Sequence, residues 1–243
     1  MLRARTILLL AWVGYLTGCS GQWNNPYPES ERNAGILYSA FAERPKHLDP
    51  ARSYSENEAE FTAQIYEPPL QYHFLKRPYT LVPLTAQQVP KPVFLDAQGR
   101  TLPEDAPSEQ IARSVYEITI KPGIRYQPHP AFARDAQGRY RYHSLEAEEV
   151  GDKQQISEFK YGGTRELIAA DYVYQIKRLA NPKLSSPIFG LMSEYIVGLK
   201  ELGDALDQAA KANPGHNPDL NAFPLAGAEV VDRYTYRISV KGK

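Results

Sequence analysis

The chain contains a single cysteine, Cys19, and its position directly after a short apolar run constrains everything that follows. One thiol cannot form an intrachain disulfide, and it cannot supply a zinc site built from several cysteines. The chain beyond Cys19 must therefore be stabilised by its own hydrophobic core. The apolar run, Ile7 to Leu16, is roughly ten residues long, which is too short to cross a bilayer as a helix.

The first nineteen residues resemble the signal peptide and lipobox of bacterial lipoproteins. Two arginines precede the apolar run, and Leu16-Thr17-Gly18 leads directly into Cys19. This order of charge, apolar run and small residues is typical of a secretory signal. In a lipobox the cysteine thiol receives a diacylglyceryl group and becomes the new N-terminus. We therefore expect residues 1–18 to be removed, Cys19 to be lipidated and residues 19–33 to form a tether. The alternative is that Cys19 is an incidental buried thiol.

The charge balance argues against some classes of partner. Lys+Arg and Asp+Glu are 28 each among 243 residues, so the formal net charge is zero. This balance gives no basic footprint for nucleic acid and no general attraction to an anionic membrane. With 42% hydrophobic and 23% charged residues, the chain is predicted to fold into a globular protein. The 17 tyrosines suit either a binding surface or half-exposed sheet faces.

Local patterns in the first half of the chain predict two strands and a helix. Ala34 to Phe41 is a short apolar run typical of a strand. Ser55 and Glu58 form a capping box, with Ser55 as N-cap, and Pro68-Pro69 ends the helix that follows. Ser114 to Lys121 alternates in the manner of a half-buried strand. Further predictions are short segments at 81–84 and 93–95, and a loop over 96–110.

The second half predicts a strand, two helices and a last strand. Arg139 to His143 is a polar, aromatic strand candidate after a turn. Ala169 to Ala180 carries a helical apolar stripe, and a further helical run covers Ile188 to Gln208. Tyr234 to Val240 alternates as a strand. Strands separated by long irregular segments predict an α+β fold.

The sequence shows no active-site motif. His129 and His143 are conceivable as a metal pair, but they are more simply solvated loop residues. Gly162-Gly163-Thr164 lacks the lysine and the spacing of a phosphate-binding loop and is interpreted as a hinge or turn. No Gly-x-Ser-x-Gly nucleophile motif occurs, and a cysteine committed to lipid cannot act as a nucleophile. We therefore expect no cofactor, no metal and no enzymatic activity.

Four segments of the chain carry a family resemblance when they are taken together. They are His47-Leu48-Asp49-Pro50-Ala51 with Ile65-Tyr66-Glu67-Pro68-Pro69-Leu70; the run Val115 to Tyr126; the run Ala169 to Ala180 with Asn181-Pro182 and Ser186-Pro187; and Asp232-Arg233-Tyr234-Thr235. In these segments, and in their order along the chain, the sequence resembles the family 5 extracellular solute-binding proteins, the oligopeptide- and dipeptide-binding lipoproteins of bacterial ABC importers.

The resemblance implies a type II periplasmic-binding-protein-like fold, of which residues 34–243 would be the N-terminal part. That part is the start of lobe one plus the small extra domain, and the second lobe is expected to be missing. The implied function is to capture peptides or another small solute and to deliver them to ABC permease subunits in the inner membrane. The implied location is the cell envelope, facing the periplasm, with the N-terminal lipid in a bacterial membrane. Ser20 leaves the choice of inner or outer membrane open.

The same resemblance implies candidate ligand contacts at Tyr54 and Ser55 and at Ile188 and Phe189. Tyr54 and Ser55 match a stretch that runs beside the ligand backbone in peptide binders, although capping the helix fully explains Ser55. Ile188 and Phe189 follow Ser-Pro, where peptide binders often place a pocket aromatic. About thirty residues, Ala131 to Gly163, look inserted relative to the family. Two alternatives remain: an envelope interaction lipoprotein without a small-molecule ligand, and a metal-dependent hydrolase.

Overall fold

The computed structural model describes residues 27–31, 33–143, 145 and 150–243. Cys19, the predicted signal peptide and most of the predicted tether lie outside the described residues. The chain divides into two compact units, residues 1–42 and residues 43–243.

In the first unit, a short 3₁₀ turn, Glu29–Glu31, is followed by irregular chain. The ring of Tyr27 stacks on that of Tyr38 with centroids 3.4 Å apart, and the Tyr38 hydroxyl donates to the Glu31 carboxylate. The strand predicted at Ala34 to Phe41 is wrong, because these residues have no strand pairing. A β-propensity pattern becomes a strand only where a partner edge takes up its backbone hydrogen bonds.

The strands of the second unit form a hairpin and a larger sheet, all of them antiparallel. Strands β1 (Leu70–Tyr72) and β2 (Leu81–Pro83) make the hairpin. The sheet has the order β4-β3-β5-β7-β6. Its strands are β3 (Pro92–Leu95), β4 (Thr101–Leu102), β5 (Arg113–Thr119), β6 (Ala228–Val230) and β7 (Thr235–Lys241).

The two longest strands, β5 and β7, form the centre of the sheet. They pair from Arg113↔Lys241 to Thr119↔Thr235. On β5 the side chains of Ser114 and Ile118 are buried, as the alternation of the sequence predicts. Strand β7, the last of the described strands in sequence, therefore lies between β5 and β6, which both precede it.

Four α-helices lie among the described residues. They are α1 (Glu56–Ile65), α2 (Ala169–Leu179), α3 (Phe189–Tyr195) and α4 (Leu199–Ala212). Short 3₁₀ turns occur at Ser108–Gln110, Pro130–Phe132, Ile156–Glu158 and Leu220–Ala222. The main core joins buried residues of α2 and α4 to the sheet; it includes Ile118, Ile120, Val173, Leu199, Leu202, Leu206 and Tyr236. This arrangement is a mixed helix and sheet fold, as predicted.

The helical run predicted over Ile188 to Gln208 is interrupted, and the sheet explains the interruption. Between α3 and α4 the Val197 amide donates to the carbonyl of Ser239 in β7 at 3.1 Å. Gly198 then adopts a φ of 78°, a left-handed conformation that favours glycine. A backbone engaged with a strand cannot also continue a helix, so the run becomes two helices.

The strand predicted at Arg139 to His143 is also wrong. Only a single bridge, Arg134↔Tyr140, forms there. The preceding turn takes up the local hydrogen bonds, because the Asp135 carboxylate accepts from the backbone amide of Arg139 at 2.9 Å and from its guanidinium at 2.9 Å. A short polar segment held in this way has no free edge to extend into a ladder.

Candidate functional site

Tyr54 and Ser55, two of the predicted ligand contacts, lie at the entry to helix α1. The Tyr54 side chain is 74% exposed. The Ser55 hydroxyl donates to Oδ1 of Asn57 at 2.6 Å, and its backbone amide donates to Glu58 at 3.2 Å. Ser55 therefore acts as a helix cap, whereas the Tyr54 ring projects freely from the surface.

The Glu58 carboxylate organises the loop that carries Tyr54. Its Oε2 accepts from the amide of Tyr54 at 2.9 Å, and its Oε1 accepts from the amides of His47 at 2.8 Å and Lys46 at 3.0 Å. These amides, the Tyr54 one foremost, lower the pKa of Glu58 to about 2 against the opposing effect of burial. The sequence predicted the bond from Ser55 to Glu58, but carried no sign of the bonds from residues 46 and 47.

Ile188 and Phe189, the other two predicted contacts, lie at the start of helix α3. Ile188 is the N-cap residue, and its carbonyl accepts from the amide of Met192 at 2.9 Å. The Phe189 ring is half-buried and packs on Gly203 of helix α4 so closely that an added Cβ would lie 2.5 Å from it. No hydrogen bond or ring contact between described residues joins this pair to Tyr54 or Ser55.

An ion pair joins the first family-like segment to the third. The Arg178 guanidinium, in the last turn of α2, binds both carboxylate oxygens of Asp49, at 2.9 Å and 2.5 Å. Burial raises the pKa of Asp49, but the hydrogen bonds from Arg178 and from the Ala51 amide outweigh it, so the net pKa is lowered. A two-pronged arginine–carboxylate contact fixes orientation as well as distance.

A tyrosine of α2 makes one further connection between these two segments and two contacts beside them. The Tyr172 hydroxyl lies 3.1 Å from the carbonyl oxygen of Glu67 and 2.5 Å from Oγ1 of Thr85. Its ring stacks on that of Tyr236 in β7, with centroids 5.4 Å apart. Burial raises the pKa of Tyr172, which keeps the hydroxyl protonated.

Backbone hydrogen bonds complete the connection of the four segments. The Ile120 amide donates to the carbonyl of Tyr234 at 2.8 Å, and the Ala169 amide donates to that of Arg233 at 2.9 Å. We call this set of contacts, together with Asp49–Arg178 and Tyr172, the motif junction. Segments far apart in the sequence thus hold one another in place within the second unit.

A charged hollow of about 650 Å³ lies beside the start of helix α2. Its walls come from the loop near residue 131, the segment that leads into α2, the turn at residue 221 and the turn before β7. Residues that line it include Phe132, Tyr140, His143, Arg165, Glu166, Asp171, Tyr174, Asn221 and Arg233. None of them was predicted as a site residue: His143 was weighed as a metal ligand and interpreted as a solvated loop residue, and the others are scattered along the sequence without a site motif.

The charges of the hollow neutralise one another. The Arg165 guanidinium binds both oxygens of Asp171, one of them at 2.9 Å. Glu166 accepts from Arg233 at 2.7 Å, from the Gly123 amide at 2.7 Å and from the Tyr234 hydroxyl at 2.9 Å. These bonds, the one from Arg233 foremost, lower the pKa of Glu166 to about 2.

Aromatic rings surround the Arg165 guanidinium. It lies 4.7 Å from the centroid of the Tyr126 ring and 5.5 Å from that of Phe132. Burial, reinforced by the Asp171 charge, raises the pKa of Tyr126 to about 12. The phenol therefore stays neutral under physiological conditions. With its charges paired in this way, the hollow offers ring faces and hydrogen-bonding groups more than free charge.

The two histidines considered as a metal pair both contact one backbone residue. His129 Nδ1 accepts from the Ala131 amide at 3.0 Å, and His143 Nε2 lies 2.8 Å from the Ala131 carbonyl oxygen. The described part of the chain contains no group of three His, Cys, Asp or Glu side chains placed to hold a metal ion. The histidine contacts fasten the loop around residue 131.

Gly163 serves as a close contact between backbones. It exchanges two backbone hydrogen bonds with His129, at 2.8 Å and 3.1 Å, and an added Cβ would lie 2.2 Å from the Phe132 carbonyl oxygen. The interpretation of residues 162–164 as a turn is thus replaced by a bridge between two extended segments.

In the residues that the structure covers, no helix has the length and apolar character needed to span a bilayer.

Comparisons with known proteins find a likeness in structure but none in sequence. No protein-family model and no curated protein matches the chain. The Escherichia coli murein tripeptide-binding protein MppA is similar with a TM-score of 0.43 and 17% identity, over 82% of this chain and 25% of that one. Listeria monocytogenes OppA bound to peptide gives 0.41 and 14%, over 79% and 24%.

A third similar structure is the pheromone receptor PrgZ, with a TM-score of 0.41 and 16% identity over 79% of this chain and 24% of that one. All three are binding proteins or receptors for peptides and are not enzymes. This chain spans about a quarter of the length of each.

Proposed function

We propose that this chain belongs to a substrate-binding lipoprotein of an ABC importer that captures peptides in the cell envelope. In this proposal residues 34–243 form the opening of the first lobe together with the small extra domain. The lipid on Cys19 anchors the protein to a bacterial membrane. ABC permease subunits in the inner membrane then receive the solute.

The observation that carries this proposal is the motif junction. The four segments that resemble the solute-binding family are distant in sequence, yet their residues bind one another: Asp49 to Arg178, Glu67 to Tyr172, and Ile120 to Tyr234. Segments that matched the family by chance would have no reason to meet. Their mutual contacts support a common structural purpose, namely to present the loop of Tyr54 on a rigid base.

The chemistry of peptide capture agrees with the groups that the chain exposes. An extended peptide carries unpaired backbone amides and carbonyls, which a receptor can satisfy without reading side chains. Rigid aromatic rings add contact area at little conformational cost. Tyr54 offers such a ring, held by the hydrogen bonds of its own amide and of its neighbours to Glu58.

The test adds a pool of random peptides, three to five residues long, to the full chain. Binding is measured as a shift in the thermal unfolding of the chain. At a concentration of 100 times Kd, a ligand stabilises the folded state by about 2.7 kcal/mol, which raises Tm by roughly 5–10 °C. Tyr54→Ala should reduce the shift, whereas Tyr195→Ala, which removes an exposed tyrosine on helix α3, should not. The absence of any shift at millimolar peptide would contradict the proposal.

The anchor is tested separately by the intact mass of the protein from its own cells. Loss of residues 1–18 with a gain of acyl chains is expected, and Cys19→Ala should abolish both changes. A mass that corresponds to an unmodified Cys19 thiol would refute lipidation without affecting the peptide-binding experiment.

A further inference from the structure

The turn that joins β1 to β2 carries large apolar side chains that point into solvent. We call residues His73 to Tyr79 the hairpin tip. Phe74 is 88% exposed and Leu75 is 78% exposed, and Tyr72 and Tyr79 on either side are exposed as well. Adjacent exposed apolar side chains of this size need a reason, because isolated ones are ordinary but clusters mark contact sites.

The hairpin tip is held in a defined conformation. The His73 amide donates to the Thr80 carbonyl at 2.8 Å and continues the β1–β2 ladder. Nδ1 of His73 accepts from the amides of Leu75 at 3.2 Å and Lys76 at 3.3 Å. The Arg77 guanidinium donates to the Lys76 carbonyl at 2.9 Å. These bonds close the turn on itself and leave the side chains of Phe74 and Leu75 outside.

The base of the hairpin is joined to the body of the second unit. Leu70 packs against the main core. The amides of Leu84 and Ala86 donate to the carbonyl of Pro69 at 2.9 Å and 3.1 Å. The exposed tip therefore projects from a fixed position and does not depend on an ordering step at the moment of contact.

The charged side chains of the hairpin tip have one sign. Residues 73–79 contain Lys76 and Arg77 but no aspartate or glutamate, whereas the next cation along the chain, Lys91, is paired with the Glu104 carboxylate at 3.8 Å. The Arg77 guanidinium also lies 4.5 Å above the Tyr79 ring, where it stays near the apolar pair. The tip thus places two cations next to two strongly exposed apolar side chains, in a chain whose acidic and basic residues balance.

We propose that the hairpin tip docks on an anionic phospholipid bilayer. Phe74 and Leu75 enter the interface between headgroups and acyl chains, and Lys76 and Arg77 contact lipid phosphates. Tyr72 and Tyr79 lie at headgroup depth, where amphipathic rings are favoured. Apolar side chains flanked by cations suit this boundary, since the long cationic stems reach back to the headgroups. This contact is independent of peptide capture and of the lipid on Cys19.

A tryptophan placed at the tip reports the contact directly. Phe74→Trp is introduced in a Trp12→Phe/Trp23→Phe background, so that it is the only tryptophan of the chain. Leu191→Trp in the same background is the matched control, because Leu191 is exposed on α3 without a neighbouring cation. The full chains, not lipidated, are mixed with vesicles of phosphatidylcholine that contain 30% phosphatidylglycerol and brominated acyl chains.

We expect bromine to quench the tryptophan at residue 74 and to leave the one at residue 191 unaffected. Each cation contributes about fivefold to the affinity for an anionic surface. Lys76→Gln/Arg77→Gln should therefore weaken the vesicle affinity, read from the lipid concentration that gives half of the full quenching, about 30-fold. Leu75→Ser should weaken it at least tenfold by removing apolar contact, on the order expected for a buried leucine. Half a molar salt should act in the same direction as loss of the cations.

Three results would overturn the proposal. Equal quenching at residues 74 and 191 would show that any contact is general, for example through residues 7–16. Equal quenching in vesicles with and without phosphatidylglycerol would show that Lys76 and Arg77 do not recognise lipid charge. A lack of quenching in all vesicles would show that the tip does not contact lipid, and a protein partner would then be the occupant to test. Peptide binding by the same variants stays unchanged in each case.

Discussion

Replacing Gly203 by alanine tests whether the Phe189 ring belongs to the core or is available to a ligand. A Cβ at Gly203 would lie 2.5 Å, 3.1 Å and 3.4 Å from three atoms of that ring. Alanine favours a helix by about 1 kcal/mol over glycine, whereas overpacking a core costs about 1–3 kcal/mol. We therefore expect Gly203→Ala to leave the free energy of unfolding unchanged or to lower it by up to about 2 kcal/mol.

Gly190→Ala is the matched control on the neighbouring helix α3. Nothing lies within 4 Å of a Cβ added there. The better helix propensity is then unopposed, and we expect a gain of up to about 1 kcal/mol. Urea unfolding followed by circular dichroism gives both free energies. In a chain of this size each kcal/mol corresponds to roughly 2–4 °C in Tm, so thermal melts provide a second measurement.

Equal stabilisation by the two alanines would refute the reasoning, because it would mean that the Phe189 ring does not cover Gly203. The ring would then be free for the predicted ligand contact. The double variant Phe189→Leu/Gly203→Ala adds a further check. Making room for the new methyl group should recover part of the loss, with a coupling free energy of about 0.5 kcal/mol or more.

Two carboxylates make predictions about pH. The pKa of Asp49 is lowered below 3.8 in the folded state, so its bond to Arg178 stabilises the fold above that pH and the effect is lost as the pH falls through and below it. Asp49→Asn should cost about 1–3 kcal/mol at pH 7, and a deficit that stayed constant down to pH 2.5 would contradict the ion pair. Glu58 stabilises the fold above pH 4.5, and this stabilisation declines as the pH falls toward its lowered pKa of about 2. Glu58→Gln should therefore lower Tm at pH 7 and lower it less near pH 2. The control Glu56→Gln, an exposed change in the same helical turn, should have little effect on Tm at either pH. Similar losses of Tm for both variants would contradict the role of Glu58.

Elements governed by local rules could be predicted from the sequence. The N-cap at Ser55, the stop at Pro68-Pro69 and the alternation of β5 depend on residues within one or two turns of each other. The structure contains each of them. The prediction of one helix from Ile188 to Gln208 was wrong, since the hydrogen bond from Val197 to β7 is not visible in a helical pattern.

The charged hollow could not be predicted from local patterns either, because it is formed by residues that are far apart in the sequence. Glu166 and Arg233 are 67 residues apart, and neither occurs in a motif that would connect them. The loop of Tyr54 was predicted as a site only through the resemblance to solute-binding proteins. The capping-box pattern predicts only the hydrogen bond between Ser55 and Glu58. The other amides that bind the Glu58 carboxylate precede the helix and belong to no local pattern.

The position of β7 affects how this protein folds while it is being synthesised. A polypeptide emerges from the ribosome, or crosses a membrane, N-terminus first. Thr119 at the end of β5 precedes its partner Thr235 by 116 residues. During that interval one edge of β5 has no partner, and an open edge of this kind pairs readily with other chains. The nascent protein must therefore be kept from such pairing until residue 241 has emerged, and slowing synthesis between residues 119 and 241 should increase aggregation.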